Sequence, residues 1–183
     1  MIHSPPKELQ SERCLLRDIR LSDKEDMFEY ASVEEVAQYV LWDRHRTVKN
    51  SEEFIKRVLK AYKKGEDNLV WGIEYRKEHK FIGSAGLHNL DESNRNAELG
   101  YVVSHKYKNR GFATEASSEI VRYGFDELKL HRIYARVFPG NKPSSRVLEK
   151  LGFMKEGVMN QSVYMNNRYH DTILYAKVKM IGS

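Results

Sequence analysis

The stretch Lys106-Tyr107-Lys108-Asn109-Arg110-Gly111-Phe112-Ala113-Thr114-Glu115-Ala116 decides how the chain folds. Ahead of it, Ala97-Glu98-Leu99-Gly100-Tyr101-Val102-Val103 is apolar and aromatic and reads as a strand. Behind it, a helical pattern runs to about Glu127. A strand therefore feeds a basic, glycine-containing loop that opens a helix. The first turn of a helix carries backbone N–H groups without internal partners, and the helix dipole places its positive end there. Such a junction is suited to an anion, phosphate above all. Taken alone, the same stretch is equally consistent with a tight turn relieved by Gly111 and flanked by solvated lysines.

Working outward, Ala113, Ala116, Ile120, Val121, Phe125 and Leu128 give the helix one apolar face. Gly124 within that face costs about 1 kcal/mol relative to alanine, which close packing on a sheet would offset. Arg132 to Phe138 reads as a strand, so the junction sits in a strand–helix–strand unit with parallel strands and a right-handed crossover. On the other side, Leu69–Tyr75, Lys80–Leu90 and Ala97–Val103 form an antiparallel meander. Nearer the N-terminus come a strand within Glu12–Ile19 and a Ser22-Asp23-Lys24-Glu25 capping box. The helix it opens runs to about Ala31, with Met27, Phe28 and Ala31 inward. A short helical piece spans Val33–Tyr39, a loop Leu41–Lys49, and a second helix starts at Ser51 and closes at Gly65. After Pro139-Gly140-Asn141 a short helix covers Ser144–Leu151. Two final strands, Met154–Met165 and Tyr169–Met180, flank an Asn166-Asn167 turn. The expected fold is mixed α/β, with six or seven strands and four helices in one domain over residues 1–183, residues 1–10 being a flexible tail.

Composition narrows the function classes. Lys plus Arg is 31 and Asp plus Glu is 26, a net charge of +5. That balance suits an anionic ligand, but the basic residues form no single stripe of the kind nucleic acid needs. No apolar run approaches the ~20 residues of a membrane span, and the first ten residues have no apolar core of a signal peptide. Cys14 has no second cysteine to pair with and sits in an apolar run, where a buried hydrophobic role is expected. A cytoplasmic location follows. No Cys/His cluster has metal-ligand spacing, and the G-x-x-x-x-G-K-[ST] phosphate loop is absent.

Three pieces then stand at fixed places: Glu98 before the loop, the loop itself, and Asn141-Lys142-Pro143-Ser144 after the next strand. If the two strands are parallel, their carboxyl ends share one sheet edge, where ligands of such sheets bind. The residues also admit structural roles. Glu98 fits a solvated strand face, Ser144 fits a helix cap, and Asn141 fits a turn. His88 fits a sheet position, and His170 beside Asp171 fits a turn flank.

Lys108-Asn109-Arg110-Gly111-Phe112-Ala113 resembles the acetyl-CoA motif of the GNAT N-acetyltransferases, [Q/R]-x-x-G-x-[G/A], with lysine at the first position. Ala97-Glu98-Leu99-Gly100-Tyr101 before it, Thr114-Glu115-Ala116 after it, Asn141-x-x-Ser144 leading to Leu151-Gly152-Phe153, and Tyr169-His170-Asp171 with Tyr175 together resemble the RimJ/RimL-like branch. Its best-known members acetylate the N-terminal amines of ribosomal proteins. The resemblance implies a GNAT fold, acetyl-CoA as co-substrate and no metal. It implies that backbone N–H groups over Lys108, Asn109, Arg110, Gly111, Phe112, Ala113 and Thr114 bind pyrophosphate. Val102 and Val103 would pair with the pantetheine arm where adjacent strands splay, and Asn141 would hydrogen-bond it. Ser144 would protonate the leaving thiolate, and Glu98 would take a proton from the amine through water. An amine of pKa ~8–10 must lose a proton before it attacks a thioester, and a backbone N–H, that of Val103, would meet the oxyanion. The acceptor pocket would be formed by Trp42, the Leu41–Lys49 loop and the C-terminal hairpin. The acceptor is expected to be a protein N-terminus, with a polyamine, amino acid or antibiotic as alternative, in a monomer or homodimer. A non-catalytic acyl-CoA-binding module is the competing class, and the presence of both Glu98 and Ser144 argues against it.

Overall fold

A computed structural model describes residues 7–64 and 68–180. Its strands are β1 (Leu9–Gln10), β2 (Cys14–Arg17), β3 (Leu69–Tyr75), β4 (Lys80–Asp91), β5 (Asn96–Val103), β6 (Arg132–Val137), β7 (Met154–Met165) and β8 (Arg168–Val178). They form one sheet in the order β1-β2-β3-β4-β5-β6-β8-β7. Every neighbouring pair is antiparallel except β5 and β6. The helices are α1 (Lys24–Ala31), α2 (Glu34–Ala37), α3 (Val48–Lys64), α4 (Phe112–Asp126) and α5 (Lys142–Lys150).

Two apolar clusters follow from the alternation of side chains along the strands. One joins the sheet to the apolar faces of α4 and α5, through Leu87, Leu99, Ala116, Ile120, Ile133 and Leu148. The other packs α1, α2 and α3 onto the opposite face, around Met27, Tyr30, Ile55 and Phe81. That second helical layer reaches as far as Val102 on β5. Beyond it, the same face carries Asn96 and Glu98 of β5 and Arg132, Tyr134 and Arg136 of β6, with Leu174 of β8 beside Arg136.

Some local expectations are revised. The expected N-terminal tail contains β1: Leu9 is buried, and the Trp71 indole donates to the Lys7 carbonyl at 2.9 Å. Residues 1–6 of that tail and Gly65 lie outside the described residues. Ser22 does not cap the first helix. Asp23 stands at the N-cap position without a side-chain cap; its carboxylate instead accepts from the Arg20 N–H at 2.7 Å across the 3-10 turn Leu21–Asp23, while its two oxygens hold Arg17 at 2.9 Å each. The Arg17–Asp23 ion pair is buried. In α1 it is Tyr30, not Phe28, that is buried with Met27 and Ala31. Helix α3 starts three residues before Ser51, because the Asn50 carboxamide accepts from the N–H groups of Arg46 and Thr47 and closes the turn that precedes it.

Candidate active site

The site grows from the parting of β5 and β6. Their pairing consists of Asn96 with Arg132, Ala97 with Ile133 and Glu98 with Tyr134, and it ends there although both strands continue. On β5 the direction of each backbone group is fixed by alternation. The Ser104 N–H donates to the Ile82 carbonyl on β4 at 2.7 Å, and the Arg95 carbonyl accepts from His131 on the β6 side at 2.7 Å. Even-numbered residues therefore pair with β4, and odd-numbered ones face β6. Past Glu98 the N–H and C=O groups of Tyr101 and Val103 point into the gap, whereas those of Val102 belong to the β4 ladder. Helix α4 opens beside this gap and α5 follows the end of β6.

The loop into α4 has the geometry of an anion cradle. Asn109 and Gly111 take left-handed conformations, at φ 59° and 84°. Gly111 is the residue before α4, and its carbonyl receives the Glu115 N–H at 2.9 Å. The N–H groups of Phe112, Ala113 and Thr114 precede the first intrahelical bond and have no carbonyl one turn back. A β-carbon at Gly111 would stand 3.3 Å from Arg13 Nη2. This convergence of unpaired N–H groups at a helix start fits the pyrophosphate of coenzyme A. Lys106 and Lys108 reach away to Glu29 and Glu35, at 3.1 and 2.6 Å. The Arg110 guanidinium lies over the rings of Tyr107, Phe112 and Tyr75, 5.1–5.6 Å from their centres.

Arg13, at the start of β2, braces the loop. Its Nη1 donates to the Arg110 carbonyl at 3.0 Å, its Nε to Glu115 at 2.7 Å, and its backbone N–H to the same carboxylate at 2.7 Å. Ser11 adds a fourth hydrogen bond to this cluster, at 2.7 Å to Glu115. Burial would raise the Glu115 carboxyl, but the bonds from Ser11 and Arg13 outweigh it and hold the group below the ordinary glutamate value.

The two faces of the gap carry different chemistry. On the open face, Glu98 forms a two-pronged ion pair with Arg136 of β6 at 2.8 and 2.9 Å and accepts from Asn89 Nδ2 at 3.0 Å. Its side chain is 13% exposed. This pair bridges β5 and β6 where they part. His88 lies directly across from Glu98 on β4. Burial pushes the His88 imidazole down, against the opposing pull of Glu98. Beside these residues an open groove of about 410 Å³ runs along Asn89, Asn96, Arg132, Tyr134, Arg136, Met159 and Leu174. On the α5 face, the Tyr101 hydroxyl meets the Ser144 hydroxyl at 2.8 Å and the Ser144 carbonyl at 3.0 Å. Asn141 caps α5, its Oδ1 accepting from the Ser144 N–H at 3.2 Å. Burial raises the Tyr101 phenol far above its ordinary value, against the hydrogen bond from Ser144.

The structure thus brings Glu98, Val103, the Lys108–Thr114 loop, Asn141 and Ser144 around one gap. It sets the Val102 backbone aside: the Val102 side chain lines a small cavity with Trp42, Tyr30, His45, Phe54 and Ser84. Trp42 packs against His45 and Phe54 beside that cavity, while the open groove is lined from β4, β5, β6 and the C-terminal hairpin. His170 and Asp171 do not pair. The His170 Nε2 contacts the Met165 carbonyl at 3.1 Å, and Asp171 accepts from the Gln161 N–H at 2.8 Å. Sequence reasoning missed Arg13, Tyr101 and Arg136. Only Tyr101 lay within a quoted motif. The partners of Arg13 and Arg136 are 102 and 38 residues away in sequence, and no local pattern reports them. Among the described residues no group of acidic, histidine or cysteine side chains is placed to hold a metal, and no helix is long and apolar enough to cross a membrane.

Comparison with known proteins agrees with this geometry. Residues 13–154 match the family model described as "Acetyltransferase (GNAT) domain". The uncharacterized N-acetyltransferase YoaA of Bacillus subtilis is 37% identical over 171 residues, covering 93% of this chain and 96% of that protein. The crystal structure of a GNAT-family acetyltransferase from Bacillus anthracis superposes with a TM-score of 0.83 at 31% identity, over 94% of this chain and 98% of that one. The ribosomal-protein-S5-alanine acetyltransferase of Vibrio fischeri superposes with a TM-score of 0.79 at 25% identity, over 94% and 97%. With its parted strands and its glycine-opened helix, the chain belongs to the GNAT family of acetyltransferases and is an acetyl-CoA-dependent N-acetyltransferase.

Proposed function

We propose that the chain acetylates the N-terminal α-amine of a protein, with Glu98 and Ser144 acting from opposite faces of the gap between β5 and β6. The observation that carries this reading is the pairing of that gap with the open groove. A groove open along its length accepts an extended chain end, whereas a small amine is better served by an enclosed pocket. Asn96, together with the N–H groups of Asn89 and Arg136 not taken by Glu98 and those of Arg132 not taken by Glu156, would donate to the carbonyls of such a chain. The Vibrio relative, whose name specifies a ribosomal-protein alanine, supports the same class of acceptor.

The loop from Lys108 to Thr114 holds the pyrophosphate through its N–H groups, and the Tyr101 and Val103 backbone orients the pantetheine arm. Asn141 keeps its Nδ2 for that arm, since its Oδ1 caps α5. When bound, acetyl-CoA supplies the activated acetyl carbonyl. Glu98, held in place by Arg136 and Asn89, attracts the acceptor ammonium and takes its proton through water. Val103 N–H stabilises the negative charge that develops on the carbonyl oxygen. Ser144 gives its hydroxyl proton to the departing sulfur as the C–S bond breaks. Ser144 then regains a proton through water; of the two protons that the ammonium loses on becoming an amide, one ends on sulfur and the other leaves by way of Glu98 and water to solvent.

The test is a competition assay with acetyl-CoA, short peptides with free or blocked N-termini, spermidine, free amino acids and an aminoglycoside. Free N-terminal peptides are expected to give the highest kcat/KM, with blocked peptides inert. Faster turnover of any small amine, or modification of the blocked peptides at lysine, would refute the acceptor assignment.

A further inference from the structure

We infer that Tyr101 is a positioning residue for the acetyl transfer, one that sets the direction of the Ser144 proton. The inference rests on the reading of Ser144 as the proton donor to sulfur. Ser144 sits in the first turn of α5 with its N–H held by Asn141 and both its carbonyl and its hydroxyl in contact with one phenol. Tyr101 projects from β5 across to α5, at the point where its own backbone N–H and C=O face the gap. Its phenol keeps its proton at neutral pH and has one proton to give to two acceptors, the Ser144 carbonyl at 3.0 Å and the Ser144 Oγ at 2.8 Å.

Two arrangements follow from that count. When Tyr101 donates to the carbonyl, Ser144 directs its own proton to the phenol oxygen, and that proton is unavailable to the site. When Tyr101 donates to Oγ, the Ser144 proton is free to turn toward the gap. As Ser144 passes its proton to sulfur, its oxygen gains acceptor character, and a donor 2.8 Å away becomes more favourable. The phenol therefore acts where charge moves and leaves ground-state binding of the cofactor untouched. This is the condition for an effect on kcat rather than on KM. Tyr101 itself transfers no proton to substrate.

Tyr101→Phe, Ser144→Ala and the double variant separate the possibilities, measured with acetyl-CoA and the best peptide acceptor. A hydrogen bond to a group gaining charge corresponds to roughly a tenfold to hundredfold change in rate. Tyr101→Phe is expected to lower kcat by that factor, with the KM for acetyl-CoA and the Kd for coenzyme A within about twofold of wild type. The double variant is expected to be no slower than Ser144→Ala alone, since Tyr101 acts through Ser144. Additive losses, or an unchanged kcat in Tyr101→Phe beside a slow Ser144→Ala, would overturn the role of Tyr101 and leave Ser144 standing. Wild-type kcat in Ser144→Ala would overturn the reading of Ser144 and the inference with it. Incorporation of 3-fluorotyrosine at position 101 keeps the ring and the hydroxyl while strengthening the donor. A change in kcat there supports the inference even if Tyr101→Phe is poorly folded, and an unchanged kcat overturns it.

Discussion

Replacing Gly111 tests the cradle most directly, because strain and charge can be separated at one position. Its φ of 84° lies in the left-handed region, where an alanine costs roughly 1–2 kcal/mol. At about 2–4 °C per kcal/mol for a chain of this size, Gly111→Ala should melt roughly 2–8 °C lower. The new β-carbon would also press on Arg13 Nη2 at 3.3 Å, loosening the brace on the loop. Asparagine tolerates the left-handed conformation better, so Gly111→Asn should stay nearer wild type and bind acetyl-CoA within several-fold of it. Gly111→Asp has the same shape as asparagine and adds one negative charge. One unit charge against another at about 6 Å, with an effective dielectric of ~20, amounts to about 3 kcal/mol, or about a hundredfold in affinity. Calorimetric titration of coenzyme A into the three variants, with thermal melts beside it, reads both effects. Equal affinity in the Asn and Asp variants would refute the placement of pyrophosphate at this helix start. A Gly111→Ala melting point equal to wild type would refute the strain.

Further outcomes follow from the same geometry. Glu98→Gln keeps the shape of the side chain but removes its charge; kcat should fall at least tenfold with coenzyme A affinity retained, and unchanged turnover in a steady-state assay would remove Glu98 from the reaction. The Glu115 carboxyl is held below its unfolded value, so its contribution is complete above about pH 4.5 and is lost as pH falls through the lower folded value. Acid unfolding followed by circular dichroism should therefore be shallower in Glu115→Gln than in wild type over that window, and identical slopes would argue against the Arg13 brace. At Gly83 a β-carbon would lie 2.2 Å from the Val102 carbonyl oxygen and 2.9 Å from the Val103 Cα. Both are backbone atoms with little freedom to yield, so Gly83→Ala should destabilise by about 1–3 kcal/mol and melt correspondingly lower, whereas a wild-type melting curve would mean that β4 and β5 are less closely paired here.

Much of this was legible in sequence because it is local. The apolar spacing of Ala116, Ile120 and Phe125 marks α4 whatever it packs against, and Gly111 marks the left-handed turn before it. The order strand, loop, helix, strand places the loop at the carboxyl edge of a parallel pair, since the crossover has one favoured hand. The errors are also physical. Ser22 was read as a cap because capping is judged within four residues, yet Asp23 is held in place by Arg17 on β2. The Leu41–Lys49 loop suggests a pocket wall because it is irregular, and in the fold Trp42 packs on Phe54 of α3 and lines the small cavity beside Val102, away from the groove along β6.

The sequence by itself determined the donor, through the resemblance of Lys108–Ala113 and its flanks to the GNAT motif: that motif lies in a few consecutive residues, whereas the loop taken alone fits a tight turn equally well. Tertiary structure alone decided which groups face the gap between β5 and β6. The Val102 and Val103 backbones are adjacent in sequence but point to opposite neighbours, because a ladder alternates and its phase is set by the Ser104–Ile82 bond. Glu98 of β5 finds Arg136 on β6, and Ser144 of α5 finds Tyr101 on β5, across elements that come together only in the folded chain. The open groove depends on where the second helical layer stops over the sheet, and that boundary is a property of packing among distant segments.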